Sequence, residues 1–105
     1  MIVPGPVVTG VAGMIYLKVH WNHESEKLPI AFYCELDGDR MEVRKVELFA
    51  DGSLGYANEK RSSGKTILGA LPMPPMAELS ASPNYTPAEI TRDEFEDVWR
   101  LARWE

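Results

Sequence analysis

The sequence predicts an α+β fold, in which an antiparallel β-meander of four or five strands packs against a C-terminal helix plus a short Pro-rich helix. Two patterns carry this prediction: apolar and polar residues alternate from Met14 onward, and a capped amphipathic helix begins near Thr91. We expect both helices to cover one face of the sheet. A length of 105 residues fits a single domain at 14–105, preceded by a flexible leader at 1–13.

The first two strands show a clean period of two, which is typical of half-buried β-strands. The apolar members of the first strand are Ile15, Leu17, Val19 and Trp21. Those of the second strand are Ile30, Phe32, Cys34 and Leu36. Turn signals at 37–39 and at Asp51-Gly52 predict that the chain returns antiparallel to itself. Short strands are then expected at 53–57 and at 65–68.

The third strand, from about Arg40 to Ala50, breaks this alternation. Val46 shares its parity with Glu42 and Arg44, so the core side of the strand becomes polar at one end. Either a β-bulge shifts the phase within the strand, or both faces of the sheet are partly covered.

The C-terminal helix carries the strongest local signal in the chain. Thr91 and Glu94 are spaced as a capping box, and Ile90 and Phe95 as a hydrophobic staple around it. The helix is expected over about 92–103, with an apolar stripe formed by Phe95, Val98, Trp99 and Ala102. A short helix, with Pro74 or Pro75 in its first turn, is expected to end before Pro83. Residues 84–90 are expected to be extended.

Composition excludes several classes of function. The net charge of −5 argues against general nucleic-acid binding and against docking on an anionic membrane. No apolar stretch has the roughly 20 residues that a transmembrane helix needs. The only cysteine, Cys34, cannot form an intrachain disulfide, which favours a reducing, cytoplasmic location. Its place on the apolar parity predicts a buried thiol.

The sequence contains no complete catalytic or metal-binding motif. The segment 62–66 resembles the end of a phosphate-binding P-loop, but Glu59 stands where that motif needs a glycine. His20 and His23 have a metal-like spacing without a second ligand cluster. No nucleophile is joined to a base by a motif. We therefore expect no enzymatic activity, no cofactor and no metal.

Five residues are the candidates for a binding site: Glu35, Glu42, Arg44, Tyr56 and Trp104. Glu35 and Glu42 can face each other across the 37–39 turn, and Arg44 is a partner for a carboxylate. These charges form either a structural ion pair or a polar binding recess. Trp104 lies off the apolar stripe, so it either anchors a partner or folds back over the sheet edge.

Three segments support a resemblance to a known family. They are YLKVHW, then FYCELDGDRMEVRKVELFADGSLGYA, and finally EITRDEFEDVW. Together they resemble a family of small bacterial proteins classed as a domain of unknown function, over about Met14 to Arg103. Members of this family look like stand-alone small proteins of the kind found beside secreted toxins, as immunity proteins. The resemblance implies no catalytic residue or cofactor.

These observations favour a non-catalytic protein-binding module, with a toxin-neutralising immunity protein as its specific form. The partner is then a protein, for which an acidic surface provides steering toward a basic site. One alternative is a small-ligand or enzymatic domain with a polar site around Glu42 and Arg44. Another is a self-associating structural protein that forms a homodimer through a sheet edge or through Trp104.

Overall fold

The computed structural model describes residues 13–104, which form one antiparallel sheet and two helices. The elements are β1 (Ile15–Trp21), β2 (Ala31–Leu36), β3 (Glu42–Leu48), β4 (Leu54–Asn58), α1 (Met76–Ala81), β5 (Tyr85–Glu89) and α2 (Arg92–Ala102). The five strands lie in the order β4-β3-β2-β1-β5. The predicted α+β class is confirmed, while residues 1–12 of the predicted leader lie outside the described residues.

The fifth strand is not the predicted one. Residues 65–68 form no strand, because their neighbours on β3 hold this segment with side chains. The Lys45 ammonium donates to the Ile67 carbonyl at 3.3 Å, and the Gly69 N–H donates to the Glu42 carboxylate at 2.6 Å. The segment expected to be merely extended, 84–90, instead supplies β5, which pairs antiparallel with β1.

Strand β3 contains an irregularity where the alternation broke down. Arg44 pairs with Glu35, but Leu36 pairs with Glu42, so Val43 is an extra residue on β3. A bulge of this kind reverses the side on which the following residues point. Glu42 therefore lies on the opposite face of the sheet from Arg44. The two explanations offered for the uneven alternation, a β-bulge and partial cover of both sheet faces, are therefore both correct.

The two helices cover opposite faces, so the expectation that they share one face is wrong. Tyr16 packs with Phe95 and Trp99 of α2, whereas the next residue, Leu17, packs with Leu79 of α1. Successive residues of a strand point to opposite faces, and on β1 both parities are apolar enough to be buried. We call the two sides the α2 face and the α1 face.

Helix α2 begins as its local sequence predicts. The Thr91 hydroxyl accepts from the Glu94 N–H at 3.0 Å, and the Thr91 N–H donates to the Glu94 carboxylate at 2.8 Å. Ile90 packs against the cluster that contains Phe95, which is fully buried. The predicted capping box is confirmed, and Trp99 lies against the sheet as the apolar stripe requires.

Each edge of the sheet carries a feature that hinders pairing with a further strand. Ile90 donates its backbone N–H to Tyr16, so the antiparallel alternation directs the backbone of Pro87 outward from β5. Proline has no N–H to offer to another strand. At the β4 edge, the backbone carbonyl of Tyr56 already accepts from Ser63, whose hydroxyl accepts from the Tyr56 N–H.

Within residues 13–104, no helix is long and apolar enough to cross a membrane.

Candidate functional site

A polar cluster lies beneath α2, and it contains two of the candidate site residues. The Arg44 guanidinium makes a bidentate pair with Glu35, at 2.6 Å from Nε and 2.9 Å from Nη2. It also bonds both carboxylate oxygens of Glu96 on α2, at 2.7 and 3.2 Å. The Tyr16 hydroxyl donates to Glu35 at 2.8 Å. Of the two alternatives that the sequence left open, the structure shows Arg44 in an ion pair, with Glu35 and Glu96 as its partners.

The polar cluster is closed by aromatic rings. The Arg44 guanidinium lies 4.9 Å from the centre of the Phe95 ring and 5.1 Å from that of Trp99, within the range of cation–π attraction. Hydrogen bonding to Glu35 raises the pKa of Arg44 further above its usual value, and hydrogen bonding to Arg44 lowers the pKa of Glu96. Burial, with the bond to Glu35, raises the pKa of Tyr16 to about 12. Each of these side chains is bonded to a neighbour, so removing any one of them would leave a poorly solvated partner.

Glu42 lies away from this cluster, because the bulge at Val43 turns it to the α1 face. Its carboxylate is 3.4 Å from the Lys45 ammonium and accepts from the backbone of Gly69. The structure does not bring Glu42 together with Glu35 or Arg44. The alternative of a polar recess that joins Glu42 and Arg44 is therefore not assembled.

Tyr56 belongs to the packing of α2. Its ring meets Trp99 edge-on with centroids 5.5 Å apart, and the Arg103 guanidinium lies 5.5 Å above it. Tyr56 is a residue of β4, and its side chain is half-buried against α2. Its contacts explain its position without a ligand.

Trp104 projects into solvent and does not fold back over the sheet edge. Its side chain is 81% exposed, and Leu101, one turn earlier, is 67% exposed. Asp97 and Arg100, which form an ion pair at 2.5 Å, line the same shallow hollow. Together these four residues form what we call the α2 outer patch. Leu101 was missed because it lies off the predicted apolar stripe; its spacing of three from Trp104 was the available signal.

A cleft of about 600 Å³ opens on the α1 face between residues 27–29 and 63–66. Its apolar surface includes Trp21, Phe32 and Phe49, and Glu47 stands on its wall. We call it the sheet cleft. The alternation of β2 assigned Phe32 to the core, and Phe32 does pack against the core cluster of the α1 face, but it stays half-buried. The sequence pattern gave no sign of the opening beside it.

The residues of the other sequence motifs are engaged in local hydrogen bonds or are buried. The ring of His23 bonds the Pro29 carbonyl at 2.7 Å and accepts from the Ser25 N–H at 3.0 Å. In the P-loop-like segment, the Thr66 hydroxyl donates to Glu47 at 2.8 Å. Cys34 is fully buried, as its parity predicted, and burial raises the pKa of its thiol to about 12. A thiol in that state is a poor nucleophile.

Comparison with known proteins places the chain in a family. The family model described as a domain of unknown function, DUF6881, matches residues 15–104. No curated protein and no solved structure matches the chain. The match covers every strand and helix of the sheet domain.

Proposed function

The chain belongs to the DUF6881 family, and we propose that it is a non-catalytic protein-binding module that docks its partner on the α2 outer patch. The observation that carries this proposal is the exposure of Trp104 and Leu101 side by side, at 81% and 67%. Tryptophan is enriched among the residues that dominate binding energy at interfaces. A pair of large apolar side chains left in water at the C-terminal end of a regular helix favours a protein contact.

The net charge of the chain, rather than the charges beside the patch, indicates the chemistry of the partner. The exposed acids of α2, Asp93, Glu94 and Asp97, are balanced by the exposed arginines at 92, 100 and 103, whereas the whole chain carries a net charge of −5. Complementary charge raises the rate of encounter and disfavours wrong partners. We therefore propose a partner whose basic surface borders an apolar pocket.

A toxin-neutralising immunity protein is the specific form of this proposal. An acidic module of this size can cover a basic active site, and this is the role that the resemblance noted in the sequence implies. A single buried cysteine, Cys34, fits a reducing cytoplasm, where such a protein would act.

The shielding of both sheet edges argues against self-association by strand addition. Pro87 interrupts the N–H pattern of β5, and Ser63 occupies the backbone of Tyr56 on β4. A homodimer through Trp104 uses the same outer patch as the proposed partner. Sedimentation of the purified chain, alone and with its partner, distinguishes the two.

Affinity capture with paired variants tests the protein-binding proposal. The purified chain serves as bait in extract of its native host, and bound proteins are identified by mass spectrometry and then purified. We expect Leu101→Ala/Trp104→Ala to weaken binding of the purified partner about 30-fold, which corresponds to a ~2 kcal/mol hot spot. Ile67→Ala/Leu71→Ala is the matched control, because these side chains are 70% and 79% exposed elsewhere.

The results separate the general proposal from its specific form. Capture of no partner, or equal loss in the control variant, contradicts docking on the outer patch. If a partner is captured but is not a toxin, the module stands and the immunity role falls. Co-expression with the captured toxin then provides the functional readout, since the wild type should restore growth and Leu101→Ala/Trp104→Ala should not.

A further inference from the structure

We propose that the sheet cleft binds a small aromatic zwitterion, for which a free aromatic amino acid is the simplest example. The cleft lies on the α1 face, on the other side of the sheet from the α2 outer patch. This inference is therefore independent of the protein-binding proposal and goes beyond it.

The apolar part of the sheet cleft is built to receive a ring. Trp21 and Phe32 are stacked with centroids 5.8 Å apart, and Phe49 lines the same space. Phe32 is only half-buried, although β2 is the central strand of the sheet. Helix α1 and the segment 63–69 cover the strands on either side of β2 and leave Phe32 accessible between them. An aromatic ring that enters the cleft can therefore make offset or edge contacts with the three aromatic side chains.

The polar part of the sheet cleft offers both signs of charge. The Thr66 hydroxyl donates to one oxygen of Glu47 at 2.8 Å, and Glu47 forms no ion pair in the described part of the chain. Lys27 and Lys65 also line the cleft, and neither is ion-paired within residues 13–104. Glu47 suits an ammonium group, and the two lysines suit a carboxylate. A ligand with both groups complements both signs of charge in the cleft.

Local packing fixes the walls of the cleft. A β-carbon at Gly55 would lie 2.2 Å from the Thr66 hydroxyl oxygen, so Thr66 packs directly on the backbone of β4. The hydrogen bond from Thr66 then positions the Glu47 carboxylate on this wall of the cleft. On the opposite wall, the His23 ring bonds the Pro29 carbonyl at 2.7 Å. The volume of about 600 Å³ lies within the usual range of small-molecule sites, about 300–1,000 Å³.

Nuclear magnetic resonance tests the inference with L-phenylalanine as the probe. The three indole N–H signals serve as internal reporters, because Trp21 lines the cleft, Trp99 is buried beneath α2 and Trp104 lies on the outer patch. We expect L-phenylalanine to shift the Trp21 signal saturably and to leave the other two unchanged. Absence of a saturable Trp21 shift up to the solubility limit of the probe overturns the proposal.

Matched probes and variants test each group of the ligand. Phenethylamine lacks the carboxylate and 3-phenylpropionate lacks the ammonium, so each should bind about tenfold more weakly than L-phenylalanine. L-alanine lacks the ring and its apolar burial, so it should bind more weakly by about tenfold or more. Glu47→Gln and Lys27→Gln/Lys65→Gln should weaken L-phenylalanine to a similar extent. Glu59→Gln/Lys60→Gln, on an exposed loop away from the cleft, should not. Equal binding of all probes, or equal binding by all variants, overturns recognition of a zwitterion.

Discussion

The two faces of the sheet are covered by different kinds of structure. On the α2 face, a regular helix of eleven residues covers the strands, and its contacts include aromatic rings and the Arg44 polar cluster. On the α1 face, a helix of six residues and an irregular segment at 63–74 leave the sheet cleft open. One face is thus closed by packing and ion pairs, and the other retains accessible surface. Candidate binding residues must therefore be judged by the structure that covers them, since strand parity placed Arg44 and Phe32 on the correct faces but could not show that only Arg44 is covered by a long helix.

The largest difference between the faces should appear when their central cations are removed. Arg44→Ala leaves Glu35, whose side chain is 8% exposed, without its cation, and such a loss costs about 3–5 kcal/mol. Lys45→Ala on the α1 face should cost less, nearer 1.5–3 kcal/mol, because Glu42 keeps its bond from Gly69. Urea denaturation of both variants measures the two free energies of unfolding. Equal losses would show that the Arg44 cluster does not distinguish the α2 face.

The next effect concerns the wall of the sheet cleft. Gly55→Ala places a β-carbon 2.2 Å from the Thr66 hydroxyl oxygen, and Thr66 is buried, so this segment must move. Overpacking of this kind costs about 1–3 kcal/mol. Gly38→Ala is the control, since nothing lies within 4 Å of its added carbon. Thermal unfolding compares the two, and a Gly55→Ala variant as stable as Gly38→Ala would contradict the close packing of this wall.

The parts of the fold that the sequence predicted well depend on contacts between near neighbours. The capping box of Thr91 and Glu94 spans three residues, and its two hydrogen bonds form within one turn. The fifth strand depends instead on which distant edge a segment reaches, and no local pattern distinguishes residues 65–68 from 85–89 in that respect. The broken apolar alternation of the third strand showed that β3 is irregular. Only the pairing of Leu36 with Glu42 in the structure shows where its bulge lies.

The candidate site was predictable to a similar degree. The sequence supplied Arg44 and a carboxylate partner, yet the choice of Glu35 and Glu96 over Glu42 depends on that bulge and on the docking of α2. The exposure of Trp104 likewise could not be decided from its position beside the stripe. It depends on where the last turn of α2 ends relative to β4.

A smaller effect should follow from the titration of the α2 face. Hydrogen bonding from Arg44 lowers the pKa of Glu96 in the folded state, so its stabilisation is present above the unfolded pKa of about 4.3 and is lost as the pH falls through the lower folded value. We expect the wild type to lose stability more steeply than Glu96→Gln on acidification below about pH 4.3. Urea midpoints across this window measure the difference. Glu59→Gln, on an exposed loop, should retain the wild-type slope.

The smallest loss of stability is expected for the α2 outer patch, in contrast to the inward side of α2. Leu101→Ala/Trp104→Ala removes side chains that are mostly in water, so the free energy of unfolding should stay within about 0.5 kcal/mol of the wild type. Phe95→Ala, on the inward side, empties a fully buried position and should cost about 3–5 kcal/mol. Calorimetry of the two variants provides the comparison. If the outer variant unfolds markedly earlier, Leu101 and Trp104 support the fold, and a loss of partner binding in that variant could no longer be attributed to a docking surface.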